Sequence, residues 1–238
     1  MTNNPETITK IMKNYLKTWW AIILRPIYFY TRLKEEDWKE SALTFLMITS
    51  WILALVATVV IYIIQYFPMG STLVEGISGL KFILILPVLL ILAAVFFAIT
   101  FLILGGMFTL AFSGLFYLLG WAFHFIYLVM GGRGSSNRMI QSAFYSSAVL
   151  LGGTLVFLLM ILTKYAGMEF LLFRYGFNFI GFLALLYVYG LWAVAGRKAY
   201  QVPKWKAFAG ALIPIIVLLI LGVLFDKIAL SRLAPWIT

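Results

Sequence analysis

The chain has 238 residues, 64% of them hydrophobic and 11% charged, where a soluble domain carries about a quarter charged. This composition excludes a soluble globular domain, and the apolar runs lack the polar alternation of barrel strands, which leaves an all-α, polytopic membrane helical bundle. The net charge of +10 follows from Lys and Arg that flank spans and face an anionic leaflet, so the lipid bilayer is the expected partner and nucleic acid is not.

Residues 1–40 form a cytosolic or interfacial amphipathic region. Asn4, Pro5 and Glu6 read as an N-cap, a first-turn proline and a first-turn acid. Ile8, Ile11, Met12, Tyr15, Leu16, Trp19 and Trp20 then recur at helical spacing, with Lys10, Lys13, Asn14 and Lys17 opposite. Such a helix suits the headgroup region, with Lys10, Lys13, Lys17, Trp19, Trp20 and Arg25 at the membrane surface. The alternative is that its apolar face packs against the chain's own spans. Pro26 should kink or end the helix, and residues 32–40 are a mixed-charge, solvated connector. No small-residue cleavage site of a signal peptide is legible.

The first span covers residues 41–67, closed by Pro68, Gly70 and Ser71, with Glu75 and Lys81 exposed to water. Residues 82–132 follow, 51 in succession without Asp, Glu, Lys or Arg. As one helix they would reach about 75 Å, against a hydrocarbon core of about 30 Å. Further spans are expected at residues 139–163, at 175–196, and at 207–225, where Pro214 predicts a kink. Residues 226–238 are a tail.

Charge decides how the long stretch crosses. With one crossing, the N-terminus and the connectors at 131–138 and 197–206 share a side holding 13 Lys and Arg, against 5 opposite. Two crossings would give 11 against 7. The better separation predicts five transmembrane helices over residues 41–225, preceded by the interfacial helix, with the N-terminus cytoplasmic and the C-terminal tail outside. Pro87 should then divide the long stretch into a short outer or re-entrant helix at 80–92 and a crossing helix at 93–130. Gly105, Thr109 and Ser113 fall four apart on the latter and form a small-residue packing seam.

Catalytic, cofactor and metal residues are not expected. With no cysteine and one histidine, disulfides, thiol catalysis and the usual metal sites are lost. His124, beside Trp121 and Tyr127, reads first as a hydrogen-bonded packing residue. Ser113-Gly114 has the wrong neighbours for an intramembrane serine protease and shares a helix with His124. All eight acids lie in connectors or tails, which argues against ion-coupled transport but leaves passive lipid passage open. The connector at 131–138 is the most site-like feature. Its glycines permit sharp turning, Ser135 or Ser136 can cap the next helix, and Arg133 and Arg138 flank a helix N-terminus that suits a lipid phosphate. Read more simply, it is a tight basic turn. It lacks the Gly-Lys-Ser/Thr ending of a nucleotide loop. His124, Arg133, Ser135 and Arg138 are therefore the candidate headgroup or partner contacts.

These residues resemble the Yip family, the Ypt-interacting proteins and their prokaryotic relatives, from about residue 15 to 225. The resemblance lies in Leu24-Arg25-Pro26 with Tyr28, Phe29 and Tyr30; in His124 followed by Gly131-Gly132, Gly134 and Ser135; in Ala143, Tyr145 and Ser146; and in the stretches at 187–196 and Lys206-Ala207. The family often has a proline shortly after the Tyr-Ser pair. Ser147 and Ala148 stand there instead, which removes the expected cause of a kink in the third span. The resemblance implies five spans, a cytosolic N-terminus and no enzyme activity. Eukaryotic members bind small GTPases and shape or sort membranes, usually through a longer N-terminal region. The forty residues here are more similar to a bacterial or archaeal member, some of which resemble accessory subunits of ABC exporters. The expected function is thus a non-enzymatic scaffold or accessory subunit in a prokaryotic cell membrane, with other membrane proteins, such as ABC transporter subunits, as partners. The alternative is a lipid-binding or lipid-translocating protein.

Overall fold

The computed structural model describes residues 5–74, 77 and 80–237, and among these no strand occurs. Asn4 and Glu75 lie outside the described residues, as does the side chain of Lys10. In chain order the helices are α1 (Pro5–Leu24), α2 (Pro26–Arg32), α3 (Ser41–Ile61), α4 (Phe67–Val74), α5 (Leu80–Val129), α6 (Ser136–Ser146), α7 (Gly153–Ala166), α8 (Phe170–Tyr200), α9 (Lys204–Ile228) and α10 (Ala234–Ile237). Among the described residues, five segments are long and apolar enough to cross a bilayer: Ser41–Gly70, Lys81–Val129, Ser136–Ala166, Phe170–Tyr200 and Lys204–Ile228.

These segments outrun the expected spans because helices continue past the hydrocarbon boundary. The 31 residues of α8 extend about 46 Å, so roughly a third of that helix stands outside a core of about 30 Å. Arg174, expected in a loop, is therefore within α8, and Asp226, expected at the start of the tail, is within α9.

Pro26 ends α1 at Leu24 and opens α2, as expected, whereas Pro68, Pro87 and Pro214 end no helix. Before Pro68 the chain passes through a π-helical turn, Tyr62–Tyr66, with Phe67 N–H bonded to the Tyr62 carbonyl. That wider turn spares Pro68 the clash with the carbonyl four residues back, so the helix continues to Val74 instead of closing at Pro68. At Pro87 the expected division into two helices is not seen, since α5 runs unbroken for 50 residues. Its neighbours are almost all aliphatic or aromatic, and in an apolar setting the remaining backbone groups have no better partners than one another. Pro214 is buried inside a continuous α9. The third span, by contrast, is interrupted where no proline stands: Ser147–Gly152 form a 3₁₀ turn between α6 and α7.

The main core sits at the end of the bundle that carries the 131–138 connector. Phe123 and Tyr127 of α5, Phe144 of α6, and Trp192 and Tyr200 of α8 are all fully buried there. The Trp192 indole meets Phe123 edge-on at 4.9 Å and donates to the Ser146 hydroxyl at 2.8 Å. A small second cluster, around Phe173 and Leu230, lies at the opposite end.

The α1–α2 pair collars this core. Tyr15 reaches Thr49 at 3.0 Å, Trp19 donates to the Ala148 carbonyl at 3.0 Å, and Tyr187 bonds the Ile23 carbonyl. After the bend at Arg25, Phe29 packs on Tyr145 and Tyr30 bonds the Ser142 carbonyl at 3.4 Å. Contacts thus move away from the connector end along α1 and return along α2. The apolar face of α1 divides between the two surroundings considered for it. Tyr15 and Ile22 are buried against the spans, while Met12, Leu16, Trp20 and Leu24 remain exposed.

Candidate functional site: the connector junction

The C-terminus of α5 is closed by Gly131 at φ +83°, a left-handed conformation that glycine adopts without penalty. Gly131 N–H bonds the Leu128 carbonyl at 2.9 Å and Gly132 N–H bonds the Tyr127 carbonyl at 2.9 Å. Lys206 donates to the Met130 carbonyl at 2.7 Å, placing a cation at the negative end of the helix. Ser135 then caps α6 by accepting from Arg138 N–H at 3.2 Å.

Tyr200 joins the two sides of this turn. Its carbonyl accepts from Arg133 N–H at 3.1 Å, and its hydroxyl bonds both His124 Nδ1 and the Ser135 carbonyl. His124 is thus a hydrogen-bonded packing group, set edge-on to Trp121 at 5.8 Å. Among the described residues no cluster of metal-ligating side chains occurs.

The mixed-charge segment after α2 is not free in solvent along its length. Gln141 Nε2 donates to the Lys34 carbonyl at 3.1 Å, Asn137 Nδ2 to the Glu36 carbonyl at 2.7 Å, and Ser135 Oγ to Glu35. Trp38 packs edge-on to Phe144 at 5.2 Å. The segment is laced to the first two turns of α6.

The structure brings His124 and Ser135 into one network through Tyr200. Arg133 is exposed, Arg138 is half-buried, and among the described residues neither forms an ion pair. Lys13, Lys17, Trp20 and Arg25 are exposed on the α1–α2 collar, and Trp19 is turned into the bundle. Sequence reading missed Tyr200, Asn137 and Gln141. Gln141 was legible as an amide within an apolar span; Tyr200 carried no signal of its own. The one ion pair among the described residues was also missed: Arg174 Nε donates to Asp226 Oδ1 at 2.8 Å across α8 and α9.

An all-helical bundle of five apolar spans, closed at one end by a backbone-bonded turn and an aromatic core, defines a polytopic integral membrane protein. The chain belongs to the Yip1 domain family, whose model matches residues 20–225. That family is, in general terms, one of non-catalytic membrane proteins. No curated protein and no solved structure matches the chain significantly.

Proposed function

We propose that this protein is a non-enzymatic scaffold or accessory subunit that assembles with other membrane proteins, in a prokaryotic cell membrane, with ABC exporter subunits as the leading partner class. What carries the reading is α5. Its first half packs on α3 and on the π-helical turn that follows α3, and its most apolar stretch contains no buried residue. Between the two helices runs a groove of about 740 Å³, lined in part by Trp51, Gly106, Thr109, Ser113 and Gly114. A β-carbon at Gly106 or Gly114 would meet no atom within 4 Å. The hydroxyls of Thr109 and Ser113 are screened from solvent and, among the described residues, have no hydrogen-bond partner. Small residues permit close helix approach, and unpaired hydroxyls in hydrocarbon gain from a partner's polar group. Gly105, in the same seam, is already filled by the Trp51 ring, so the unfilled places are those at Gly106 and Gly114.

A photo-cross-linker at Leu110 in the native membrane should capture a membrane protein, and Gly106→Leu with Gly114→Leu should abolish that adduct. Gentle purification that yields only a lone monomer, with no protein cross-linked at Leu110, overturns the proposal. A second reading, anionic-lipid binding at the connector, is favoured by the exposed, unpaired Arg133 beside the N-terminus of α6.

A further inference from the structure

We propose that the crevice between α7, α8 and α9 binds a single phospholipid, an acyl chain lying in a glycine-lined trough and the phosphate at Arg174 and Asn178. The polar mouth of the site is at the opposite end of the bundle from the connector, and the site does not depend on the partner reading.

The crevice has a volume of about 720 Å³, within the roughly 300–1,000 Å³ typical of ligand pockets. Glycines from three elements open into it: Gly152 at the bend of the third span, Gly181 of α8 and Gly222 of α9. At each of these a β-carbon would meet no atom within 4 Å. The contrast with the connector end is plain, since there Gly210 gives its space to Tyr127, whose ring would lie 2.7 Å from a β-carbon. Here the space that glycine leaves is taken by no side chain. In a bilayer an apolar trough that opens to lipid is filled by hydrocarbon.

The ends of the trough define the occupant. At one end Trp192 and Ser146 satisfy each other, and the floor offers nothing polar to a ligand. At the other are Asn178 and Asp226, with Arg174 bonded to Asp226. From Asn178 to Trp192 along α8 is about 21 Å, more than one leaflet's share of a core of about 30 Å. An acyl chain entering from the polar end fits that length.

The polar end is also incompletely used. The fork from Arg174 to Asp226 engages two of the five guanidinium N–H groups and leaves three. Asn178 adds its amide to Asp226 at 3.1 Å. Exposed Lys227 follows Asp226 directly, so two cations face one carboxylate. The excess of one positive charge complements a phosphodiester, and Arg is suited to hold it in a fork.

The test uses the full chain in phosphatidylcholine vesicles doped with phosphatidylglycerol that carries a diazirine in its acyl chain. After photolysis, adducts should concentrate on Val188 and Leu218 over exposed Leu102 of α5. Gly181→Leu with Gly222→Leu should lower the crevice adducts at least tenfold, relative to Leu102. If that variant does not fold, Gly222→Val alone should lower them several-fold. Arg174→Gln with Asp226→Asn and Lys227→Gln, which removes the carboxylate together with both cations, should erase the preference over diazirine-labelled diacylglycerol. Uniform labelling of all lipid-facing residues, or diacylglycerol entering the crevice of the unaltered chain as well as the phospholipid does, overturns the proposal.

Discussion

Tyr127 occupies the space that Gly196 leaves open: a β-carbon on Gly196 would collide with the phenol ring, and the ring's hydroxyl donates to the Ala207 carbonyl at 2.9 Å. One side chain of α5 is thereby clamped between α8 and α9.

Gly196→Ala should therefore destabilise the bundle by about 1–3 kcal/mol, the usual cost of overpacking a filled site. Gly190→Ala, on the same helix but with open space around it, should instead raise stability by up to about 1 kcal/mol through helix propensity. Thermal unfolding in detergent distinguishes them. Equal midpoints for the two variants would refute the clamp.

Ser135→Ala removes the cap of α6 and one tie to the segment after α2, at a cost of about 1 kcal/mol. Hydrogen exchange should quicken at the amide of Arg138. Ser135→Asp restores a capping oxygen but sets a carboxylate beside Glu35, so it should rescue the Arg138 amide while loosening the segment at 33–40. Loss of protection at Arg138 in both variants would mean that the cap is not what holds the turn.

Trp192→Phe keeps most of the ring but deprives Ser146 of its donor. It should cost about 1 kcal/mol, the net worth of one hydrogen bond, since Ser146 still donates to the Ala143 carbonyl at 2.6 Å. Adding Ser146→Ala should recover part of that loss. A double variant no better than Trp192→Phe would place the cost in packing against Phe123 instead.

The chain has no cysteine, so introduced thiols report sidedness directly. Arg133→Cys should label from the cytoplasmic side and Thr72→Cys from the outside. Labelling of both from one side rules out a single crossing by α5.

Under the lipid reading of the connector, Arg133→Glu with Arg138→Glu should deplete co-purified anionic lipid several-fold, read by mass spectrometry. Unchanged lipid content counts against that reading and leaves the crevice site untouched.

Much of the fold was legible because membrane spans are written in continuous apolar runs, and Ser135 and Gly131-Gly132 were legible because caps and reversals demand particular residues. Pro87 and Pro68 misled, since proline reports a local conflict while neighbouring turns decide whether it is relieved. Arg174 and Asp226 misled for a different reason. Charge in a sequence reads as a loop, whereas these two residues, 52 apart in sequence, meet on adjacent helices that extend beyond the hydrocarbon.

The sequence by itself determined the class, the five apolar segments and the basic end, because hydropathy and charge act residue by residue against the bilayer. Only the tertiary structure decided that Tyr200 joins His124 to Ser135, that Tyr127 fills two glycine spaces, and that Gly152, Gly181 and Gly222 open on one crevice. Those facts depend on how the helices are rotated and paired. One apolar surface looks like another in a sequence, and packing selects among them only when all the helices are present.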